Sequence, residues 1–529
     1  MTLRRSDYFW LSLSCLALFG LGLVGGRPLS MHEGVLPQTS REMMVDHDWV
    51  VPKNDGRPWL ENPPLPQWIT VAVASVVGRC DKVWIVRIPP LLAALGTVLL
   101  VAWMAAGWFG RAAGVLSGIT LATMYEFIQY AWRSEDEMFL GALVTLAVAA
   151  FVRLEFSSAI DQATEPTGFF GLRARGTLAF FIALGLTNLA KGPLFGTAMV
   201  VAPAGLYLLW NADLRRIRRY FWLWGWLVFT GLAVAWPVAA YLREPGVTGL
   251  WEVDYLGRMG GSYEAINKPP WYYLGALAAN LVPWTLVALY GLWLARGKAF
   301  SVRASPERFL WCWALAPLLL FSIPQGKHHH YLLPCLAPWA VFTGVALLQL
   351  HARFFRASAS RRRVVFGVLF AVVAVAYGAG HVAAGVWFDQ TRDDTRFLQR
   401  VREMVPPDRT LLVNADLGDQ LENFRLLFYL PATTRTLVNL TFLADDTLPR
   451  DEVYLITRAK DRAVLARYGE AESILQSART RRENSPDDRF TLFRLRFREN
   501  LPRASTRGIR ITPMQAMGRA PAPDLVPQN

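Results

Sequence analysis

FSIPQGKHHHYLLP, residues 321–334, places one lysine, three histidines and a tyrosine at the junction of two strongly apolar runs. Ionisable groups at membrane depth are costly and usually mark a pathway or a site, so a segment built only to cross hydrocarbon gains nothing from this cluster. Outward from it, apolar runs near or above the roughly 20 residues needed to cross hydrocarbon recur from Tyr8 to Phe388. With 53% hydrophobic residues and 21 Trp among 529 residues, the chain is too apolar over too many windows to be one soluble globule. It reads as a mainly α, polytopic membrane protein in which the GKHHH segment binds something polar.

The formal charge of +14 is distributed in a way that excludes nucleic acid as the partner. Basic residues gather in short loops: Arg215, Arg216, Arg218 and Arg219, then Arg296, Lys298, Arg303 and Arg308, then Arg353, Arg356, Arg361, Arg362 and Arg363. Short basic loops between apolar runs carry the positive-inside signal. Placing them in the cytoplasm gives eleven spans, near 9–26, 87–108, 112–130, 138–153, 176–190, 194–211, 220–242, 273–295, 309–323, 331–350 and 364–388, starting inside and ending outside. The 176–211 region can alternatively hold short broken helices. Trp68–Val77 is too short to cross and reads as a helix lying in the membrane plane. The first run follows Arg4 and Arg5 without a small-x-small cleavage site and reads as an uncleaved span. Cys15, Cys80, Cys312 and Cys335 lack CxxC spacing and support neither a disulfide framework nor a zinc knuckle.

This parity puts the loop 27–86, the acidic stretch 133–137, the loop 243–271 and the GKHHH segment on one external side, where they can share a site. After Phe388 the chain changes character. RTLLVNAD, TRTLVNL, EVYLITRA and FTLFRLRF read as strands, and DTRFLQRVREMV, DQLENFRLLFYL and KDRAVLARYG as helices. The expected organisation is a membrane domain over 1–388, a small external α/β domain over 389–500 and a disordered tail over 501–529.

Several side chains suit chemistry at that external face. Glu33, beside His32 at the start of the first loop, can act as a general base or simply be a hydrated interfacial acid. Arg41 lies eight residues on, about two helical turns, where both can share one face, and its planar fork suits phosphate. Asp136 and Glu137, following Arg133 and Glu135, either cap a helix or hold a divalent cation or an acceptor hydroxyl. Lys191, followed by Gly and Pro, interrupts an apolar run and either snorkels outward or sits at a helix break with exposed donors. Arg258 precedes Trp271, Tyr272 and Tyr273, which read as interface anchors. Adjacent histidines on a helix diverge, so at most one or two, His329 for instance, can join Glu33 or Asp136 on a metal ion. Lys327 and Tyr331, four apart and so on one helical face, offer a cation and a phenol to a phosphate leaving group.

In their order, SREM, DWVVP and ENPPLPQW, then VRIPPLLAAL, AKGP, KPPWYYL with LVPW, and SIPQGKHHHYLLP make residues 8–390 resemble the GT-C membrane glycosyltransferases of the aminoarabinose lipid A transferase and protein O-mannosyltransferase superfamily. The resemblance implies a GT-C helix bundle in the bacterial inner membrane, with the site and C-terminal domain on the periplasmic side. It also implies inverting transfer of a sugar from a polyprenyl-phosphate carrier to a lipid, glycan or protein acceptor. The family's catalytic acid sits in an Asp-Glu pair that is His32-Glu33 here, and its phosphate-contacting Lys is Asn62 here. Arg41, Lys327 and Tyr331 match phosphate-facing positions, whereas Asp136 and Glu137 lie closer to Arg133 than the family acid does. These departures keep open a non-catalytic relative that binds lipid-linked sugar. A transporter is a third reading, but such folds usually carry repeated halves, which are not visible here.

Overall fold

The computed structural model describes residues 2–24, 27–156, 172–212, 214–260, 268–355, 359–391, 394–417, 420–431, 433–444, 448–449, 451–478, 485–499 and 501. The chain divides into two compact units, one of Met1–Arg27, Leu60–Arg243 and Trp251–Gly385, the other of Pro28–Trp59, Glu244–Leu250 and Val386–Asn529. The first half of the expected external loop 27–86, Pro28–Trp59, therefore groups with the C-terminal segment, while its remainder stays in the first unit. The expected tail beyond 501 lies outside the described residues.

The first unit is a multi-pass membrane helix assembly. Among the described residues six helices are long and apolar enough to cross a membrane, or seven if one bent pair is a single span. The other expected spans fall on shorter or more interrupted helices. Leu65–Val77, over the segment expected to lie in the membrane plane, has 13 residues, about 20 Å of helix against about 30 Å of hydrocarbon. Proline at its N-terminus and Gly78 at φ 77° bound it, the usual asymmetry of helix ends. Val83–Phe109 and Arg111–Ala122 pack closely enough that a Cβ on Gly114 would lie 2.6 Å from the Ala102 carbonyl oxygen, an approach that small residues permit between membrane helices.

Two spans expected to be continuous are broken, and the breaks satisfy each other. The 112–130 run stops at Ala122, passes through extended Met124 and resumes as Tyr125–Ala131. The 273–295 run bends by 110° between Tyr272–Asn280 and Thr285–Ser301. Tyr125 N–H donates to the Val282 carbonyl at 2.8 Å, and Trp284 Nε1 donates to Thr123 Oγ1 at 2.9 Å. Irregular backbone at membrane depth needs such internal partners, because lipid offers none. The alternative reading of 176–211 also describes the structure: Leu172–Phe195 kinks at Lys191 and Gly192 before Thr197–Asn211.

The second unit is built on a five-stranded sheet in the spatial order 435–437, 411–414, 452–458, 490–497 and 469–476. The first three strands run parallel, and the last two join antiparallel, with Leu455 opposite Phe493 and Ala471 opposite Leu495. Leu412, Val453, Leu455, Phe493 and Leu495 form its core. The four expected strands are present. The fifth, Gly469–Gln476, has a mostly solvent-facing edge with Glu470 and Glu472, so it lacks the apolar alternation that reveals a strand. The expected helix over KDRAVLARYG shrinks to a 3-10 turn and Arg462–Leu465.

Candidate active site

In the first unit, the break after Ala190 creates a polar cluster. Gly192 adopts φ 78°, ψ 177°, a region open essentially to glycine, and Pro193 contributes no backbone N–H. The helix therefore stops at the lysine. Lys191 Nζ turns inward onto Glu137 Oε1, with both side chains about 90% buried. The snorkelling alternative does not describe it. Glu137 Oε1 also lies 3.5 Å from His330 Nε2, and Lys191 Nζ lies 5.9 Å from the Tyr331 ring centroid. The neighbouring Asp136 accepts a hydrogen bond from Asn62 Nδ2 at 3.1 Å. Asp136, Glu137, Lys191 and the GKHHH segment, far apart in sequence, thus converge.

Glu126 joins the same cluster without having been expected there. It is 2% exposed, and its Oε1 lies 2.6 Å from His329 Nδ1. It sits inside an apparently continuous apolar run, where its cost at membrane depth was the available signal. Tyr331 is buried against Phe195 and Phe321.

Lys327 requires a correction. The helix thought to pair it with Tyr331 is a 3-10 segment that begins only at His329, so the two do not share an α-helical face. Lys327 is buried, and its Nζ donates to the carbonyls of Pro324 and of Lys268, the latter at 3.1 Å. Lys268 Nζ returns a bond to the Lys327 carbonyl at 2.6 Å. Desolvation holds the Lys327 ammonium pKa below the usual lysine value. In this geometry Lys327 staples the GKHHH segment to the KPPW segment. For Arg258 only the backbone, in Val247–Gly260, is described.

The first-loop candidates belong to the second unit. His32 is exposed, whereas Glu33 is fully buried and its Oε2 accepts from Ser30 N–H at 2.8 Å. Glu33 lies in a 3-10 turn that runs directly into the α-helix Val35–Asp46, which carries Arg41. Arg41 is corrected from phosphate ligand to helix cap: Nη1 donates to the Phe428 and Leu430 carbonyls at 3.1 and 2.8 Å, and Nη2 donates to Leu427 at 2.9 Å. These carbonyls end Gln420–Tyr429, where unsatisfied oxygens and the helix dipole favour a cation. Gly34 allows the approach, since a Cβ there would lie 2.6 Å from Arg425 N. Arg41→Ala is expected to cost about 2 kcal/mol or more from these charged hydrogen bonds. Faster amide exchange over 420–430 would show it, and unchanged exchange would remove the capping role.

The metal expectation gains no support. Among the described residues no group of three or more His, Cys, Asp and Glu could hold an ion, and the candidates Glu33, Asp136 and His329 are split between the units.

Comparison with known proteins gives this arrangement a context. Residues 61–241 match the family model described as dolichyl-phosphate-mannose-protein mannosyltransferase. An undecaprenyl phosphate-α-4-amino-4-deoxy-L-arabinose arabinosyl transferase of Aeromonas salmonicida is 30% identical over 388 residues, 70% of this chain and 66% of the relative. A second such transferase, of Pseudomonas fluorescens, is 27% identical over 63% of this chain and 56% of its own length. The chain thus spans between 56% and 66% of these two relatives. The crystal structure of ArnT from Cupriavidus metallidurans bound to undecaprenyl phosphate superposes with TM-score 0.72 at 18% identity, over 93% of this chain and 98% of that one. The Archaeoglobus fulgidus oligosaccharyltransferase superposes with TM-score 0.53 at 14% identity, over 86% and 70%. The fold is that of the GT-C membrane glycosyltransferases. Within that class the chain belongs to the superfamily of aminoarabinose lipid A transferases and protein O-mannosyltransferases.

Proposed function

We propose that this protein is an inverting glycosyltransferase that moves a sugar from a polyprenyl-phosphate carrier to a lipid, glycan or protein acceptor at the periplasmic face of the bacterial inner membrane. The observation that carries this reading is the inward-turned Lys191, held by Glu137 at a helix break beside His330 and Tyr331. A membrane protein with no site would not retain such a charged group in its helix assembly.

The chemistry needs two things. When the bond between the anomeric carbon and the carrier oxygen breaks, negative charge grows on the leaving phosphate, and a fixed cation in a water-poor site stabilises it. Lys191 supplies that cation. An ammonium has three donors, and the bond to Glu137 leaves two for phosphate oxygens. Asn62, where the family has lysine, instead orients Asp136, so Lys191 takes a larger share of the charge. Arg258 and Tyr331 complete the proposed phosphate contacts. The acceptor must also lose a proton, which calls for a general base within reach of it. The donor of the relatives, undecaprenyl phosphate-α-4-amino-4-deoxy-L-arabinose, is the first to try.

The test is purified protein in lipid nanodiscs with that donor, a panel of other polyprenyl-phosphate sugars, and lipid A or a Ser/Thr peptide as acceptor. Wild type should release carrier phosphate and form glycosylated acceptor. Glu33→Gln tests the first-loop carboxylate separately: only a loss of about 10²-fold or more would mark it as the base. Donor binding without turnover across the panel would support the non-catalytic relative instead.

A further inference from the structure

The Glu126–His329 pair has the geometry of an oriented base, and nothing in the reading above uses it. Glu126 is almost completely buried on Tyr125–Ala131, and its carboxylate meets His329 Nδ1 at 2.6 Å. An ionised carboxylate only accepts hydrogen bonds, so Nδ1 carries the proton. In the neutral ring this leaves a lone pair on Nε2, for which no described protein group is a partner. The side chain is 51% exposed on the histidine side and 2% on the glutamate side. The imidazole is thus fixed at one end and accessible at the other. Its backbone is fixed as well, because the His329 carbonyl accepts from Asn280 Nδ2 at 3.0 Å.

The neighbouring histidine is placed differently. His330 directs Nε2 to Glu137, 3.5 Å away, while its ring packs against His329 at 5.5 Å between centroids. Glu126, His329, His330, Glu137 and Lys191 therefore form one continuous run of polar side chains. One end holds the cation proposed for the leaving phosphate, and the other holds an imidazole set by a carboxylate. Glu33, by contrast, is fully buried with one oxygen held by Ser30 N–H.

We infer that Glu126 and His329 form the base of the transfer reaction, with His329 the catalytic residue and Glu126 its positioning partner. This rests on the transferase reading. His329 Nε2 takes the proton of the acceptor hydroxyl or amine. The electron pair released makes the new bond to the anomeric carbon, as the bond from that carbon to the carrier oxygen breaks and its pair leaves with the phosphate. The imidazolium that forms is stabilised by Glu126.

The experiment is carrier-phosphate release by the full-length protein in nanodiscs, with undecaprenyl-phosphate-linked 4-amino-4-deoxy-L-arabinose and lipid A. It compares wild type, His329→Ala with and without added imidazole, and Glu126→Gln. His329→Ala should lose about 10²-fold or more in kcat, with part of the loss restored by imidazole, which a purely structural histidine would not show. Glu126→Gln should lose less, because the imidazole remains. His329 is half exposed, so its substitution tests the idea even if Glu126→Gln fails to fold. Wild-type turnover that His329→Ala leaves within about twofold, or a loss that imidazole does not rescue, overturns the assignment while the transferase reading stands. A wild type inert with this donor and with the wider panel overturns the transferase reading and this assignment with it.

Discussion

Lys191→Met should reduce carrier-phosphate release by about 10²- to 10³-fold, the size of effect seen when one preorganised charge-stabilising group is removed. The loss should fall mainly on kcat, because the phosphate gains charge only as the anomeric bond breaks, and an interaction that strengthens in the transition state appears there. Binding of the donor, already anionic in the ground state, should weaken less. Methionine matches the length of the lysine stem and leaves the buried Glu137 carboxylate without its ammonium partner, so a comparison with Glu137→Gln and with the double variant is needed. The two residues touch, and their effects should be far from additive. If Lys191→Met retains wild-type kcat, the cation for the leaving phosphate lies elsewhere.

The largest stability effect is expected in the second unit, at Arg425 and Asp394. Their side chains are 1% and 3% exposed, and they form an ion pair between Gln420–Tyr429 and Asp394–Met404. Removing one member of a buried pair leaves an uncompensated charge and typically costs about 3–5 kcal/mol, whereas replacing both with apolar groups is often neutral. Arg425→Met should therefore accelerate amide exchange across strands 411–414 and 452–458, and Asp394→Leu added to it should restore much of the protection. Equal loss in the single and double variants would mean that packing around Arg425, not its charge, holds the unit together.

Much of the first unit was legible because membrane crossing imposes a simple rule. Long apolar runs become helices, and the basic loops between them order the chain. The AKGP break was legible for a local reason, since glycine and proline after a lysine cannot continue a helix. What the lysine meets was not, because Glu137 lies 54 positions away. The breaks at 123–124 and 281–284 were hidden for a related reason. Each is stabilised by the other, and each segment alone reads as a continuous apolar helix. Arg41 shows the same limit: its residue type suits phosphate and helix carbonyls alike, and only the fold brings Leu427, Phe428 and Leu430 to it. Glu126 could have been singled out as a lone acid in an apolar run, though nothing local gave it His329 as a partner.

The most direct test of the central claim is a stoichiometry. Wild-type protein reconstituted in sealed vesicles would be given undecaprenyl phosphate-α-4-amino-4-deoxy-L-arabinose and lipid A, with both products quantified and the new anomeric linkage assigned by NMR. Inverting transfer predicts one sugar on the acceptor for each carrier phosphate released, with a β linkage from the α-linked donor. Donor movement across the vesicle with the sugar–phosphate bond intact would contradict the claim and make the protein a transporter.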